Sequence, residues 1–204
     1  MVNEVISQIN RSATHLRATI LANKRVGQYH QIVFGIGDLV KSCRPGNFVA
    51  ISVGGDSSRM ILRRAFAISR VSENTSFGGT MELIAAPHGS GSKWLCSQSE
   101  GSEVDIVLPL GTAFGIPTSP VNALLVGGGY GSAPLFGLAE VLKARGCKVD
   151  MLLGASTSGK IYACGLDQGG LNLGIGQTST NSHPATLVYS TTQVKFVASQ
   201  GQST

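Results

Sequence analysis

Charge is scarce in this chain: only 13% of its 204 residues are Asp, Glu, Lys or Arg, against 42% that are apolar. Such a balance suits a packed core, and the length allows one large or two small domains. Long apolar runs are missing too. None reaches the ~20 residues that a membrane helix needs, so no spanning segment is expected. The first residues, MVNEVISQINRSATHLRATI, carry Glu4 and mix apolar with polar positions. They lack the basic start and apolar stretch of a secretory signal, and a cytoplasmic location is the expectation. Clustered cysteines are also absent. Cys43, Cys96, Cys147 and Cys164 lie far apart, without zinc or iron–sulfur spacing, and should be reduced thiols, mostly in the core. Nor is there a basic stripe interleaved with aromatics, so nucleic-acid binding is not expected. The net charge of +5 comes from scattered cations with one Arg-Arg pair, Arg63-Arg64. A few arginines aimed at cofactor phosphates, with an acid-poor tail, give the same sum.

What is present falls into three stretches. The first ~110 residues read as short strands divided by turn signals, the grammar of a barrel or sandwich. The strands are expected at Ala18–Ala22, Gln31–Ile36, Asn47–Val53, Ala65–Val71, Thr80–Ala85 and Val104–Leu108. Closing six such strands on themselves would leave no exposed sheet edge. After Pro117 and Pro120 the pattern changes. Val121–Val126 is a continuous apolar run, as a strand buried on both faces should be. Gly127-Gly128-Gly129-Tyr130-Gly131 follows, then Ser132–Arg145 at helical period, with Leu135, Leu138, Ala139 and Leu142 on one face and Gly146 as the stop. Lys148–Leu153 is the next strand. This is a βαβ unit, and it implies a parallel sheet in an α/β second domain. From Ser156 onward, 49 residues hold three charges, Lys160, Asp167 and Lys195, and 14 serines and threonines. No second amphipathic helix is visible there, whereas a doubly wound domain needs more than one βαβ.

Four segments could carry chemistry. Glycines after a strand let the backbone turn sharply and approach a ligand, and the free N–H groups of the next helix favour phosphate. The string GGGYGSAP lacks the last glycine of the dinucleotide fingerprint and the Gly-Lys-Ser/Thr of a P-loop, so a tight structural turn is the alternative. In Leu62-Arg63-Arg64-Ala65-Phe66-Ala67-Ile68-Ser69, paired arginines among apolar residues are costly unless an anion neutralises them. A guanidinium fork suits a diphosphate, and Phe66 could lie against a flat ring; snorkelling to the surface is the alternative. His88-Gly89-Ser90-Gly91-Ser92-Lys93-Trp94-Leu95 reads as a loop entering a short helix, or else as a flexible turn capped by Ser92. Leu108-Pro109-Leu110-Gly111-Thr112-Ala113-Phe114-Gly115 joins the two halves, with Phe114 closing the interface or serving in a plain linker.

Taken in order, the barrel, the Arg-Arg-x-Phe strand, the Gly-x-Gly-Ser loop, the Pro-Leu-Gly-x-x-Phe junction and the Gly-Gly-Gly-x-Gly-x-Ala-Pro-Leu loop resemble the ferredoxin–NADP reductase superfamily. Within it, the likeness is to the electron-transfer subunits of dihydroorotate dehydrogenases, over about residues 10–155. The resemblance implies a β-barrel FAD-binding domain (1–117) followed by an α/β NAD-binding domain (118–160), ferredoxin reductase-like, with the second domain incomplete and an atypical low-charge tail (161–204). It implies that Arg64, with Arg63 beside it, meets the FAD diphosphate, while Phe66, Ala67 and Ile68 lie beside the flavin. Gly89, Gly91 and Ser92 would donate backbone N–H groups to the same diphosphate. Gly128, Gly129 and Gly131 would border NAD(H), and Pro134 would begin the helix beneath it. No side chain is expected to act as a catalytic base, because hydride and electrons move through the cofactors. The implied partner is a separate dihydroorotate dehydrogenase catalytic subunit, in a hetero-oligomer serving pyrimidine biosynthesis.

Three departures from the family pattern stand out. Ala65 and Ala67 replace the usual proline and hydroxyl residue, so a hydroxyl donor to the flavin is lost unless Ser69 or water substitutes. Only Cys164 lies where the family carries a cysteine cluster, so the cysteines present do not support an iron–sulfur centre. Ala163-Cys164-Gly165 echoes the family's Cys-Gly-Pro, yet Leu166 stands where proline is expected. The composition change after Lys160 points to a deletion, an alternative reading frame or a truncation. Two rival readings follow: a free-standing NAD(P)H-dependent flavin reductase, and a degenerate non-catalytic nucleotide-binding module.

Overall fold

In a computed structural model, the structure describes residues 13–55, 60–76, 78–155, 185–190 and 195–196. Six strands close into an antiparallel barrel: β1 (Thr14–Val26), β2 (Tyr29–Gly35), β3 (Phe48–Ile51), β4 (Arg64–Thr75), β5 (Gly78–Ala85) and β6 (Glu103–Leu110), in the spatial order β1-β2-β5-β4-β3-β6. All six expected strands are present. Their alternating residues drive the closure. Ile20, Ile32, Phe34, Ile51, Met81, Leu83, Ile106 and Leu108 point inward and are fully buried, while neighbours along each strand face out. Helix α1 (Ser90–Cys96) caps this core with Leu95 and Cys96.

The second unit is built on β7 (Asn122–Gly128), a 3-10 turn at Gly129–Ser132, helix α2 (Ala133–Ala144) and β8 (Lys148–Ala155). Strands β7 and β8 pair in parallel, as the βαβ reading requires. Two further strands, β9 (Ala185–Ser190) and β10 (Lys195–Phe196), extend the same sheet to the order β10-β9-β8-β7. They lie within the stretch expected to be a tail, and β9 runs antiparallel to β8, so the sheet is mixed.

One expectation is corrected here. Strand β7 is not buried on both faces: Leu125 points under α2, but Leu124 is 65% and Val126 62% exposed. Among the described residues one crossover helix supplies one covering layer, and a continuous apolar run does not reveal how many layers surround it. The glycine loop also begins later than its sequence suggests. Gly127 and Gly128 continue β7, and only Gly129, with φ of 53°, turns the chain.

The two units share a core. Tyr29, Ile84 and Ala86 of the barrel wall pack with Leu125, Phe136, Leu138, Leu142, Val149, Met151 and Leu153. Cys43, Cys96 and Cys147 are buried core thiols, and burial pushes the Cys96 thiol up to about 11. Cys164, the Ala163-Cys164-Gly165 echo and the composition change after Lys160 lie outside the described residues. No helix among the described residues is long and apolar enough to cross a membrane.

Candidate functional site

At the glycine-loop end of the seam between barrel and α/β unit, two cavities adjoin. The first, about 420 Å³, is lined by Arg64, Ala65, Phe66 and Ala67 of β4, by His88 to Ser92 at the start of α1, and by Tyr130, Gly131 and Ala133. The second, about 550 Å³, is lined by Gln28, Tyr29, Ala86, His88, Gly128 to Gly131, Gly154 and Ala155. Ala86, His88, Tyr130 and Gly131 belong to both, so the two form one groove.

On the barrel side the groove is cationic. Arg64 opens β4, is exposed, and anchors its guanidinium by donating from Nη1 to the Leu62 carbonyl at 3.0 Å. Gly91 allows that side chain to lie flat against α1: a Cβ there would sit 2.9 Å from Val53 Cγ2 and 3.4 Å from Arg64 Cγ. The Ser92 hydroxyl folds back on the loop, accepting from the Gly89 N–H at 3.1 Å and donating to the Gly89 carbonyl at 3.2 Å. The N–H groups of Ser90, Gly91 and Ser92 have no acceptor within the helix and are available beside Arg64. The far end of α1 is tied down by Asn23, whose Nδ2 donates to the carbonyls of Cys96 (3.1 Å) and Gln98 (2.7 Å).

On the glycine-loop side the groove is mostly backbone. A Cβ at Gly127 would come within 2.8 Å of Leu135 Cδ1 and of Ser132 Cβ, so the absence of a side chain lets α2 start tight against β7. Ser132 is buried and donates to the Gly129 carbonyl at 2.7 Å, closing the turn. Nothing lies within 4 Å of the space that a Cβ would fill at Gly89, Gly131 or Gly154, so these positions leave the groove open. Tyr130 stands at the junction. Its ring meets Tyr29 edge-on at 6.3 Å and His88 at 6.0 Å. Burial, and secondarily Tyr130, raises the pKa of the Tyr29 phenol.

The groove thus brings together Arg64, Phe66, Ala67, Gly89, Gly91, Ser92, Gly128, Gly129 and Gly131. It does not include three residues expected there. Arg63 turns away and donates to the Asp105 carbonyl at 2.9 Å. Ile68 is 3% exposed and packs inside the barrel. Pro134 sits in the first turn of α2, where the helix beneath the loop was expected to begin, and does not line the groove. Ser69 does not replace the missing hydroxyl donor. A β-bulge between Ile68 and Arg70 re-aims it, and its hydroxyl donates to the Ala133 carbonyl at 3.0 Å. Sequence reasoning missed His88, Tyr130 and Tyr29 as lining residues. The first two adjoin the glycines it did select, and that adjacency was the available signal.

A closed six-stranded barrel followed by an α/β unit, with the groove at their seam, is the ferredoxin reductase-like arrangement. Solved structures with this fold include an NADH-dependent reduced ferredoxin-NADP oxidoreductase (TM-score 0.62, 24% identity, covering 75% of this chain and 52% of that one). The FAD/NAD-binding domain of a nitric oxide dioxygenase from Vibrio cholerae has it as well (TM-score 0.59, 17% identity, 74% and 66%). In sequence, the chain is similar to the electron transfer subunit of dihydroorotate dehydrogenase B (NAD(+)), as the motif order led us to expect. It is 35% identical to that of Fusobacterium nucleatum over 129 residues, 62% of this chain and 48% of the relative. It is 32% identical to that of Geobacillus kaustophilus over 149 residues, 72% and 56%. The chain therefore spans about half the length of the curated relatives it matches. No protein-family model matches it.

Proposed function

We propose that this chain is the FAD- and NAD(H)-binding part of an electron-transfer subunit, passing electrons between NAD(H) and a dihydroorotate dehydrogenase catalytic subunit in a hetero-oligomer. The observation that carries this reading is the single groove into which the Arg64 strand, the start of α1 and the glycine loop all open. Residues 1–117 would form the flavin part, and the nucleotide part would begin at 118. When bound, the flavin and nicotinamide supply the hydride and single-electron chemistry themselves.

The chain's own residues bind and orient. Arg64 and the N–H groups at the start of α1 would hold the FAD diphosphate, a charge-assisted arrangement with no side-chain base. Phe66 would flank the flavin ring, and the small Ala67 would leave room beside it. Gly128, Gly129 and Gly131 would admit the nicotinamide nucleotide against bare backbone. Tyr130 and His88, at the junction, would keep water from the place where the two rings meet. Among the described residues no three His, Cys, Asp or Glu side chains gather as a metal site, and no step is assigned to a metal.

The purified chain mixed with FAD should turn yellow, and its flavin absorbance should bleach when NADH is added without oxygen. A chain that stays colourless with FAD in excess would end this reading.

A further inference from the structure

Strand β4 does two jobs in succession. Its first residues, Arg64 to Ala67, line the barrel side of the groove. Beyond the buried Ile68, Ser69 and Arg70 leave the groove and grip α2, the helix that carries the glycine loop. Three contacts make the grip. The β-bulge at Ser69 turns its hydroxyl onto the carbonyl of Ala133, the first residue of α2, at 3.0 Å, with Ser69 2% exposed. The Ser69 carbonyl then faces Gly137, where a Cβ would stand only 2.6 Å from that oxygen and 3.6 Å from Arg70 Cα. Finally, Arg70 Nη2 meets Glu140 Oε1 at 2.6 Å. Residues 133, 137 and 140 are spaced by four and three, so they form one stripe of the helix. At the N-terminal end of that stripe, the Ser132–Gly129 hydrogen bond carries the constraint into the glycine loop.

We infer that this bulge-and-stripe latch is a positioning device: it sets the gap between the flavin held by β4 and the nicotinamide held by the loop before α2. The inference rests on the proposed flavin and nicotinamide sites. Its physical reason is the steepness of transfer with distance. A misplacement of about 1 Å at a reacting pair can cost about 10²-fold in rate. At Gly137 the latch is backbone against backbone, where no flexible side chain can absorb a shift. Gly137 is the sensitive point. A methyl there must retreat from 2.6 Å to at least the 3.4 Å of ordinary contact, moving α2 by about 0.8 Å. In a helix interior, Gly→Ala otherwise favours folding, so a loss of function could not be blamed on the helix.

The test compares the FAD-loaded wild-type chain with Gly137→Ala, Ser69→Ala and Glu140→Gln by anaerobic stopped-flow reduction with NADH. The rate at saturating NADH should fall by roughly 30- to 100-fold in Gly137→Ala and by less in the other two, while FAD and NADH dissociation constants stay within about threefold. A second readout needs no cofactor. Hydrogen exchange of amides 135–140 in the cofactor-free chain should quicken in Ser69→Ala and Glu140→Gln, because the helix has lost its anchor on the barrel. Unchanged saturated rates together with unchanged exchange would overturn the latch. If Gly137→Ala does not fold, the two milder variants decide in the same way. Wild-type chain that binds no FAD would refute the proposed function instead, and the exchange comparison would still judge the latch.

Discussion

The two halves of the groove are made of different material. The barrel half uses side chains: a guanidinium and a serine hydroxyl, each fixed by a hydrogen bond, and a phenyl ring packed against the barrel core. The glycine-loop half uses backbone, and its lining owes its shape to side chains that are missing. A side-chain site can be dismantled one group at a time. A backbone site fails when something is added or when the core beneath it shifts. The first half should therefore respond to truncation and the second to enlargement.

The largest effect tests the floor beneath the backbone half. Phe136 is 1% exposed in the core shared by α2, the sheet and the barrel wall. Phe136→Ala should destabilise the α/β unit by about 3–5 kcal/mol. Chemical denaturation would measure it. If the barrel half is independent, FAD should still bind at denaturant concentrations where NADH no longer does; simultaneous loss would mean that the halves unfold as one.

The side-chain half offers a sharper contrast, between neighbours. Arg64 faces the groove and Arg63 turns to Asp105. Losing one charge-assisted contact costs roughly 1.5–3 kcal/mol, so Arg64→Ala should weaken FAD binding by roughly 10- to 100-fold. Arg63→Ala should leave it nearly unchanged. Equal losses in a fluorescence titration would show that the structure has assigned the pair wrongly. On the other side, Gly129→Ala adds a methyl at a φ of 53°, a left-handed conformation costing an ordinary residue about 1–2 kcal/mol. NADH affinity should drop by about 5- to 30-fold with FAD affinity intact, the mirror image of Arg64→Ala.

The same division governs what could be read in advance. All six barrel strands were legible because alternating burial leaves a period-two trace, although β1 runs on to both sides of Ala18–Ala22 through polar residues such as Arg17, which pairs with Glu103 on β6 at 3.6 Å. Arg64, Phe66 and the Gly89–Ser92 loop were legible because their chemistry is unusual for their setting. Ser69 was not. A bulge shifts which face a residue occupies, and a shift by one reverses inside and outside. Ile68, ahead of the bulge, follows the regular alternation inward with Phe66. Gly127 and Gly128 read as loop because glycine carries no strand propensity, yet the bare backbone of Gly127 is what lets α2 pack against β7. Tyr29 was invisible because it meets Tyr130 from a strand about a hundred residues away.

The smallest effect concerns the tether behind the barrel half, and it is a matter of pH. Asn23 gives both amide hydrogens to Cys96 and Gln98, so its Oδ1 must accept from His30 Nδ1, 2.9 Å away. The neutral ring therefore carries its hydrogen on Nδ1, and protonation would add one at Nε2. Burial first, and the charge of Arg25 second, oppose that added proton and lower the pKa of His30 below its ordinary 6.5. The unfolded chain takes up the proton first. Stability should be level above pH 6.5, fall as the pH drops through 6.5, and level off again below the folded pKa. Melting temperatures between pH 8 and pH 5 would trace this, and His30→Gln should remove its share of the slope. Over that interval the folded ring stays neutral and keeps its hydrogen bond to Asn23, so the affinities for FAD and for NADH should both hold level, and a fall in FAD affinity alone would mean that the tether behind α1 had given way.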